Sequence, residues 1–343
     1  MRLPWYAGRI HPVHIADEPR RCHTHVIGRP SMGKSLLLEH MVLADVAQGA
    51  GVAVIDPHGD LVERLLDLLP ESAIERTIYF DPGDRKWVPI WNPLQPIPGQ
   101  DLARTADDLV AVFKSFVMHW GDRLERFFRE AFFALLHLPG STLLDVSTVL
   151  RNTSDESKQL REEILQVVDG EEPRQFWKDE FGQYKKDDLG PPKNKLSKLL
   201  VGGTVSLMLS QPDSAFGFRQ IMDEGRILLV NLANLGSEVR EVLGCLILSL
   251  IHQTALGRSS ASVADRRQFH IFCDEAHRFM TDALDDLIAE TRKYRVSLTL
   301  AHQYLGQFGP GRADALSSTG STIIFNVDQR DAGRLTRALS EIV

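Results

Sequence analysis

Short apolar runs alternate with longer segments of helical spacing towards both ends of this 343-residue chain. Runs of a few apolar residues without polar alternation are typical of strands that a parallel sheet buries on both faces. Such strands are predicted at 26–27, 52–55, 77–80, 227–232, 269–273, 296–301 and 321–326. Helices are predicted between them at 34–49, 61–69, 237–257, 284–288 and 332–339. This alternation predicts an α/β fold with a mainly parallel, doubly wound sheet and right-handed crossovers.

The middle of the chain has a different pattern. Residues 85–100 are rich in proline, and from about 101 to 222 apolar residues recur at helical spacing without an obvious strand. Phenylalanines crowd the helix predicted around 127–136, where we interpret them as core rather than as a binding platform. One further helix is predicted over 196–209. The predicted organisation is a first α/β part at 1–100, an all-helical insertion at 101–222 and a second α/β part at 223–343.

The composition of the chain limits the functions and cellular locations that it can have. Hydrophobic residues make up 43% and charged residues 25%, as in globular proteins, and the formal net charge is −7. Nucleic-acid binding by bulk charge is therefore excluded, so any such binding must use a local patch or a lined channel. Cys22, Cys245 and Cys273 show no disulfide spacing, and the last two lie in apolar runs typical of a core. No secretory signal is visible, and the apolar run at 242–251 is too short to span a bilayer. We expect a reducing, cytoplasmic location.

The strongest chemical signal lies between the first strand and the first helix. It fits the pattern G-x-x-x-x-G-K-[ST] with Gly28, Arg29, Pro30, Ser31, Met32, Gly33, Lys34 and Ser35. Glycine permits a sharp exit from the strand and close approach of backbone to phosphate, and the helix N-terminus favours anions. Lys34 is expected to reach the β- and γ-phosphates of ATP, and the Ser35 hydroxyl to hold Mg²⁺. The spacing thus predicts an ATP site rather than a simple glycine turn.

Two later strand ends carry residues that hydrolysis requires. The strand at 269–273 runs directly into Asp274 and Glu275. We expect Asp274 to hold the Mg²⁺ shell and Glu275 to polarise the attacking water; a capping pair after the strand is the alternative. Gln303 follows the next strand, at the edge where ligands of open α/β sheets bind. It is predicted to sense the γ-phosphate and the water.

The basic residues allow two interpretations. Arg292 and Arg295 close the helix before the strand at 296–301, where cations complement the helix dipole. Alternatively Arg292, with Arg295 as the second candidate, reaches the γ-phosphate of a neighbouring subunit as an arginine finger. A solvated surface is favoured over phosphate contact for Lys185, Lys186, Lys193, Lys195, Lys198, Arg258, Arg266, Arg267 and Arg312.

These motifs together resemble the motor domains of conjugative coupling proteins, within the broader HerA/FtsK group of DNA-pumping ATPases. The matching stretches are 25–35, 53–60, 227–232, 272–279, 291–303 and 325–339. The resemblance implies a RecA-like P-loop NTPase fold with a helical insertion, a hexameric ring with ATP sites between subunits, and DNA in the central channel. Two features depart from the family pattern: the interior of the loop, Arg29 to Met32, is not rich in Thr and Gly, and no membrane-spanning helix is visible. A stand-alone motor core, or one with a separate membrane or secretion-system partner, is therefore expected.

The leading hypothesis is an ATP-driven DNA translocase. It must work as an oligomer, because one such core per chain cannot form a two-core monomeric helicase. An ATPase that energises protein secretion or remodelling, and a nucleotide-gated scaffold that recruits a partner through the helical insertion, stay open. An ABC-type ATPase is disfavoured because no Leu-Ser-Gly-Gly-Gln signature is present, and a small-molecule kinase by the Asp274-Glu275 pair and the large insertion.

Overall fold

Seven strands form a single sheet. The computed structural model describes residues 15–116, 120–151, 154–308, 316 and 318–340. The strands are β1 Thr24–Ile27, β2 Gly51–Asp56, β3 Thr77–Phe80, β4 Ile227–Asn231, β5 Phe269–Cys273, β6 Val296–His302 and β7 Ser321–Ile324. Their order is β3-β4-β2-β5-β6-β1-β7, and every neighbouring pair is parallel. The predicted α/β fold with a parallel sheet is confirmed.

Helices connect the strands. They are α1 Asp17–Arg21, α2 Lys34–Ala47, α3 Asp60–Leu68, α4 Glu71–Ile74, α5 Leu102–Lys114, α6 Asp122–His137, α7 Leu143–Val149, α8 Asp155–Val167, α9 Glu171–Gln175, α10 Lys186–Leu200, α11 Gly203–Leu209, α12 Phe218–Glu224, α13 Ser237–Gly257, α14 Asp282–Glu290 and α15 Gln329–Ser340. Between β3 and β4 the described residues hold helices and no strand, as the spacing predicts.

The prediction of one helix over 196–209 is wrong. The chain forms α10 and α11 instead, with a break at Gly202 and Gly203. Both glycines have positive φ angles, 68° and 76°, which a continuous right-handed helix cannot contain. Helix α1 is a second difference, because no regular element is predicted before residue 24.

Helix α13 is longer than its most apolar run. By length and composition alone, Ser237–Ser260 could cross a membrane, with a mean hydropathy of 1.3, so the prediction that this helix is too short is wrong. In the fold, 78% of the most apolar 18-residue stretch of this segment is buried, as in the core helix of a globular protein. Helix α13 packs against α5, α12 and α14. The core helix of a globular protein can be equally long and apolar, so the length and hydropathy of this segment are weak support for a membrane span.

The sheet is buried on both faces. One face, which includes Ala53, Leu228 and Ile271, shares a continuous core with the helices between β3 and β4 and with α13. The other face, which includes Val26 and Val54, packs against α2 and α3. The aromatic side chains of the helical segment are core residues as predicted; Phe127, Phe128, Phe132, Phe176, Trp177 and Phe181 are at most 2% exposed. Cys245 and Cys273 are likewise buried.

The strand order determines which loops meet. Strand β6 lies between β1 and β5, with Ile27 paired to His302 and Cys273 paired to Leu300. The residues that follow these three strands are Gly28, Asp274 and Gln303. Because the strands are parallel, all three emerge at the same edge of the sheet.

Candidate active site

The loop at 28–35 is held in place by the last strand. The amide of Arg29 donates to Asn326 O at 2.8 Å, and the amide of Phe325 donates to Ile27 O at 2.8 Å. A Cβ atom at Gly28 would lie 2.4 Å from Phe325 Cβ, which is too close for any side chain. Gly28 is therefore required by this approach of Phe325, whereas the sequence suggested only a sharp exit from the strand.

The interior of the loop has left-handed backbone at two residues, Ser31 with φ 60° and Gly33 with φ 100°. A non-glycine residue in this region is unfavourable and persists only where the surroundings enforce it. Backbone of this kind turns successive N–H groups to one side and makes an anion-binding concavity. The side chains of Arg29, Pro30, Ser31 and Met32 are exposed around it.

Lys34 is buried at the start of α2, with 6% of its surface exposed. Its Nζ donates to Gly28 O at 2.7 Å and to Arg29 O at 3.1 Å, so the side chain folds back across the loop. An ammonium group carries three N–H donors. One donor is left for a phosphate oxygen seated in the concavity.

Ser35 and Asp274 form the oxygen-rich part of the site. Ser35 Oγ donates to Asp274 Oδ2 at 3.0 Å. Burial and then the negative charge of Asp56 raise the pKa of Asp274. Asp56 is held by the amides of His58 and Leu61, each at 2.8 Å. Hydroxyl and carboxylate oxygens are the ligands that Mg²⁺ prefers, and a divalent cation would neutralise the two neighbouring carboxylates, so these residues fit magnesium.

Glu275 is next to Asp274 but differs from it in backbone and partners. It has left-handed backbone, with φ 46° and ψ 45°, and is 7% exposed. Gln303 Nε2 donates to Glu275 Oε1 at 2.8 Å. The structure thus brings Gln303 and Glu275 together across β5 and β6, as the spacing predicts. The strained backbone at Glu275 indicates a position that the fold enforces.

His277 and Gln307 complete a closed ring of polar contacts around Glu275. Gln307 Oε1 accepts from the amide of Gln303 at 2.8 Å and from that of Tyr304 at 3.1 Å, which fixes the orientation of its side-chain amide. Gln307 Nε2 therefore donates to His277 Nε2, at 3.2 Å. The proton of the neutral imidazole is then on Nδ1, which lies 3.3 Å from Glu275 Oε2. Burial lowers the pKa of His277, in keeping with this neutral form.

Beneath the loop, two buried histidines contact each other. His25 on β1 and His302 at the end of β6 are 2% and 0% exposed, respectively, and their Nε2 atoms form a hydrogen bond. Burial lowers the pKa of His25 to about 4 and that of His302 to about 3. His302 O also accepts from the amide of Gly28 at 3.3 Å, so this neutral pair links the strand of the loop to the strand of Gln303.

The arginine-finger candidates lie elsewhere. Arg292 is in the turn Thr291–Tyr294 before β6, its side chain is 57% exposed, and its Nη2 donates to Glu18 Oε1 at 2.7 Å. Arg295 follows with left-handed backbone and donates from Nη1 to Arg266 O at 3.3 Å. Both precede β6, so they lie at the opposite edge of the sheet from the loop of their own chain.

Two of the other basic residues that we predicted to lie on the solvated surface are buried. Arg258 is 0% exposed and donates to Tyr294 O and Arg267 O, at 3.0 and 2.6 Å. Arg266 is 9% exposed and bonds main-chain oxygens that include Lys293 O at 2.8 Å. The expectation of a solvated surface is wrong for both, because their guanidinium groups satisfy buried carbonyls. Lys185, Lys193 and Arg267 are exposed, and Lys198 pairs with Glu238. Arg312 and the side chains of Lys186 and Lys195 lie outside the described residues.

Several residues of the site escaped the sequence argument. His277 follows Glu275 by two positions and Gln307 follows Gln303 by four, and a search for polar residues just beyond the two strand ends would have found them. Asp56 is likewise a polar residue at a strand end, that of β2. No sequence feature marks Phe325, because nothing in an apolar strand end indicates that this side chain must approach a glycine distant in sequence.

Comparisons with known proteins bear on the family and the fold. The family model described as type IV secretion-system coupling protein DNA-binding domain matches residues 8–340. The plasmid coupling protein TrwB in complex with the non-hydrolysable ATP analogue ADPNP is similar at a TM-score of 0.61 and 15% identity, over 89% of this chain and 70% of that chain. TrwB in complex with ADP and Mg²⁺ gives 0.60 and 15%, over 88% and 70%. VirB4 of Thermoanaerobacter pseudethanolicus gives 0.57 and 15%, over 93% and 80%. The search of curated proteins gives no match. The structural likeness shows the fold, that of a RecA-like P-loop NTPase.

Proposed function

Because the chain belongs to the type IV secretion-system coupling protein family, we propose that it is an ATP-hydrolysing motor that moves DNA through a ring of identical subunits. The arrangement of Lys34, Ser35, Asp274, Glu275 and Gln303 supports the hydrolytic part of this proposal. The family description, which names a DNA-binding domain, supports the part that concerns DNA. Such a motor would act in the cytoplasm beside a secretion-system partner.

Substrate binding is assigned to the 28–35 loop. The loop amides and the free N–H of Lys34 would hold the β- and γ-phosphates, with the start of α2 adding its positive dipole end. Ser35 and Asp274 would hold Mg²⁺, which when bound neutralises phosphate charge and polarises the bond to be broken. Asp274 is therefore assigned to metal binding rather than to proton transfer.

Glu275 is proposed as the general base. A carboxylate has about four lone-pair positions. Gln303 occupies one on Oε1, and His277 Nδ1 lies 3.3 Å from Oε2 without a hydrogen bond, so both oxygens keep positions for water. The ring through Gln307 restrains the carboxylate while it takes the proton. Gln303 would report the state of the γ-phosphate to β6, since it is the first residue beyond that strand.

The site is proposed to be shared between subunits. Met32, Leu36, Tyr304 and Ile324 are apolar or aromatic side chains beside the loop that are 37–49% exposed. An exposed patch of this kind at a nucleotide site fits coverage by a neighbouring copy. Arg292, exposed at the opposite edge of the sheet, is the residue we assign to the γ-phosphate of that neighbour, with Arg295 as the second candidate.

The contact between Gln303 and Glu275, just beyond the ends of the neighbouring strands β6 and β5, is the observation that carries the proposal. Its test is ATP hydrolysis by the purified oligomer with and without DNA. Stimulation by DNA, abolished by Lys34→Ala but kept in Lys86→Ala on the exposed loop after β3, is the expected result. Equal rates with and without DNA would contradict translocation, and stimulation by an unfolded protein instead would favour a secretion ATPase.

The shared site has a separate test. Arg292→Ala and Lys34→Ala subunits are expected to be inactive alone and to regain activity when mixed, because one interface in a mixed ring then has both residues. Mixed wild-type subunits, treated in the same way, are the control. No recovery in rings that contain both variants would remove Arg292 from the site.

A further inference from the structure

A polar cavity of about 280 Å³ opens at the amino-terminal edge of the sheet, opposite the 28–35 loop. Its lining includes Arg20 and Arg21 of α1, and Arg267, Gln268 and His270 at the start of β5. The main chain at the floor is tied together, since the amide of Gly51 donates to Gln268 O at 3.2 Å. The cavity is therefore a built feature of the strand ends and not a gap between loops.

Positive charge exceeds negative charge around this cavity. The buried carboxylate of Asp45 is matched by Arg20, which bonds both of its oxygens. Glu18 is 3.7 Å from Arg21 and 65% exposed, and Glu224 bonds Arg226. Arg267 uses one nitrogen on Glu224 O, which is an uncharged carbonyl. The charges of Arg21 and Arg267 are thus weakly compensated or uncompensated.

A neighbouring arginine makes the main chain less repulsive to anions. The carbonyls of Val46 and Ala50, near the end of α2, would oppose a negative ligand. Arg76 donates to both, at 2.6 and 3.1 Å. Burial and the charge of Arg267 lower the pKa of Arg76, as expected where cations crowd one site.

Three buried polar atoms of residues that line the cavity have no hydrogen-bond partner: Arg20 Nε, Gln268 Nε2 and Gln268 Oε1. Buried polar groups are nearly always paired, with protein, water or a ligand. Two of these atoms are donors, and the third accepts from a hydroxyl or from a protonated oxygen. Donors, one acceptor and a surplus of guanidinium groups are what a partly protonated phosphate requires.

We propose that this cavity binds a phosphate group, separately from the nucleotide loop. Arg21 and Arg267 would carry the ionic contacts, and the Gln268 amide would bond the remaining oxygens. A phosphate monoester or free phosphate carries a charge of about −1.5 to −2, which matches the weakly compensated Arg21 and the uncompensated Arg267 better than the single charge of a carboxylate would. A DNA phosphodiester carries one charge and no proton, so it fits these groups less well than free phosphate or a monoester does, and the second arm of the test below distinguishes it.

The test uses the full chain with its nucleotide loop saturated by ADP and Mg²⁺, titrated with inorganic phosphate in a calorimeter. Arg21→Gln and Arg267→Gln should each weaken phosphate binding by about tenfold, the scale of one charge-assisted hydrogen bond. Gln268→Glu, which adds a negative charge without changing shape, should abolish it. Arg85→Gln, an equal charge change on an exposed loop at the other edge of the sheet, should leave it unchanged.

A second arm measures binding of a labelled oligonucleotide by the same variants across a range of salt concentrations. If DNA supplies the phosphate, Arg267→Gln lowers both DNA affinity and the slope of its salt dependence, while Arg85→Gln does not. If free phosphate is the ligand, only the calorimetric titration changes. Wild-type and pocket variants that behave alike in both arms would overturn the proposal, provided ATP hydrolysis and the unfolding midpoint show that the variants are folded.

Discussion

The two edges of the sheet carry opposite chemistry. Acidic or amide side chains end or follow the strands at the carboxyl-terminal edge: Asp56, Asp81, Asn231, Asp274, Gln303 and Asn326. Arginines precede them at the amino-terminal edge: Arg76, Arg226, Arg267 and Arg295. A parallel sheet makes this separation possible, because all strands begin on one side and end on the other. The same fold thus presents an acidic and amide edge and a guanidinium edge.

The edges also differ in how their charges are satisfied. Arginines of the amino-terminal edge donate mainly to main-chain carbonyls, as Arg258 does to Tyr294 O and Arg267 O. At the carboxyl-terminal edge, burial and a neighbouring carboxylate raise the pKa of Asp274, and Glu275 has strained backbone. At the amino-terminal edge guanidinium groups therefore tie strand ends to main-chain carbonyls, whereas at the carboxyl-terminal edge carboxylates crowd one another, as chemistry at a functional site requires.

Glu275→Gln should have the largest effect of the substitutions at the carboxyl-terminal edge. We expect the ATPase rate to fall by about 10²–10⁴-fold, because the amide cannot accept the proton of water. Stability should be unchanged, since Gln keeps the shape and can still bond Gln303. Steady-state ATPase and urea unfolding measure the two effects, with the exposed Glu71→Gln as the matched control. A rate within threefold of wild type would exclude Glu275 as the base.

Acid should affect both edges together. Burial lowers the pKa of His25 to about 4, and of His23, before β1, to about 4. As pH falls below about 6.5 the unfolded state binds protons first, so stability is complete above that pH and is lost progressively down to about pH 4. For one such histidine the loss is of the order of 3 kcal/mol. The free energy of unfolding, measured in urea between about pH 8 and pH 4, should show this slope.

His25→Gln provides the control for the acid effect. Its amide keeps a donor and an acceptor beside His302 but does not titrate, so the variant should lose less stability over the same pH range than the wild type. An identical pH slope in the two proteins would show that His25 is not among the groups responsible.

Arg258→Met should weaken only the guanidinium edge. The variant keeps most of the side-chain volume but leaves two carbonyls without donors, and we expect it to lower the free energy of unfolding by about 2–3 kcal/mol. The ATPase rate per folded molecule should stay within twofold of wild type. Arg240, which bonds the carbonyls of Leu232, Ala233 and Leu235 at the other edge, offers a matched Arg240→Met substitution. A large loss of ATPase with normal stability in Arg258→Met would contradict the assignment.

His277→Ala should have the smallest effect at the active site. We expect kcat to fall by about tenfold with unchanged nucleotide affinity, because the histidine orients Glu275 and does not contact the loop. His277→Asn, which can place an N–H near Glu275, should recover part of the rate. A rise in KM with normal kcat would place His277 in nucleotide binding instead.

The sequence predicts the strands and the main site residues for two physical reasons. Apolar runs such as Val52–Ile55 are buried on both faces, so the local pattern is sufficient, and parallel strand ends must meet, so Asp274 and Gln303 converge. The break at Gly202 and Gly203 is a local backbone conformation, which the two adjacent glycines indicate and apolar spacing alone does not encode. The other features that escape prediction depend on distant contacts. The need for Gly28 comes from Phe325, and the ring around Glu275 from side-chain orientations that only packing fixes.

The position of β1 has a consequence for synthesis. This strand is translated first among those described, yet its two neighbours, β6 and β7, are translated last. At about 5–20 residues per second, it waits on the order of tens of seconds before either partner leaves the ribosome. In the nascent chain the segment that forms β1, with its apolar Val26 and Ile27, therefore exists before the strands that flank it. We expect chaperones to bind it during this interval. Phe325 can approach Gly28 only after β7 has been translated, so ATP binding by a ribosome-bound chain would report that β7 has joined the sheet.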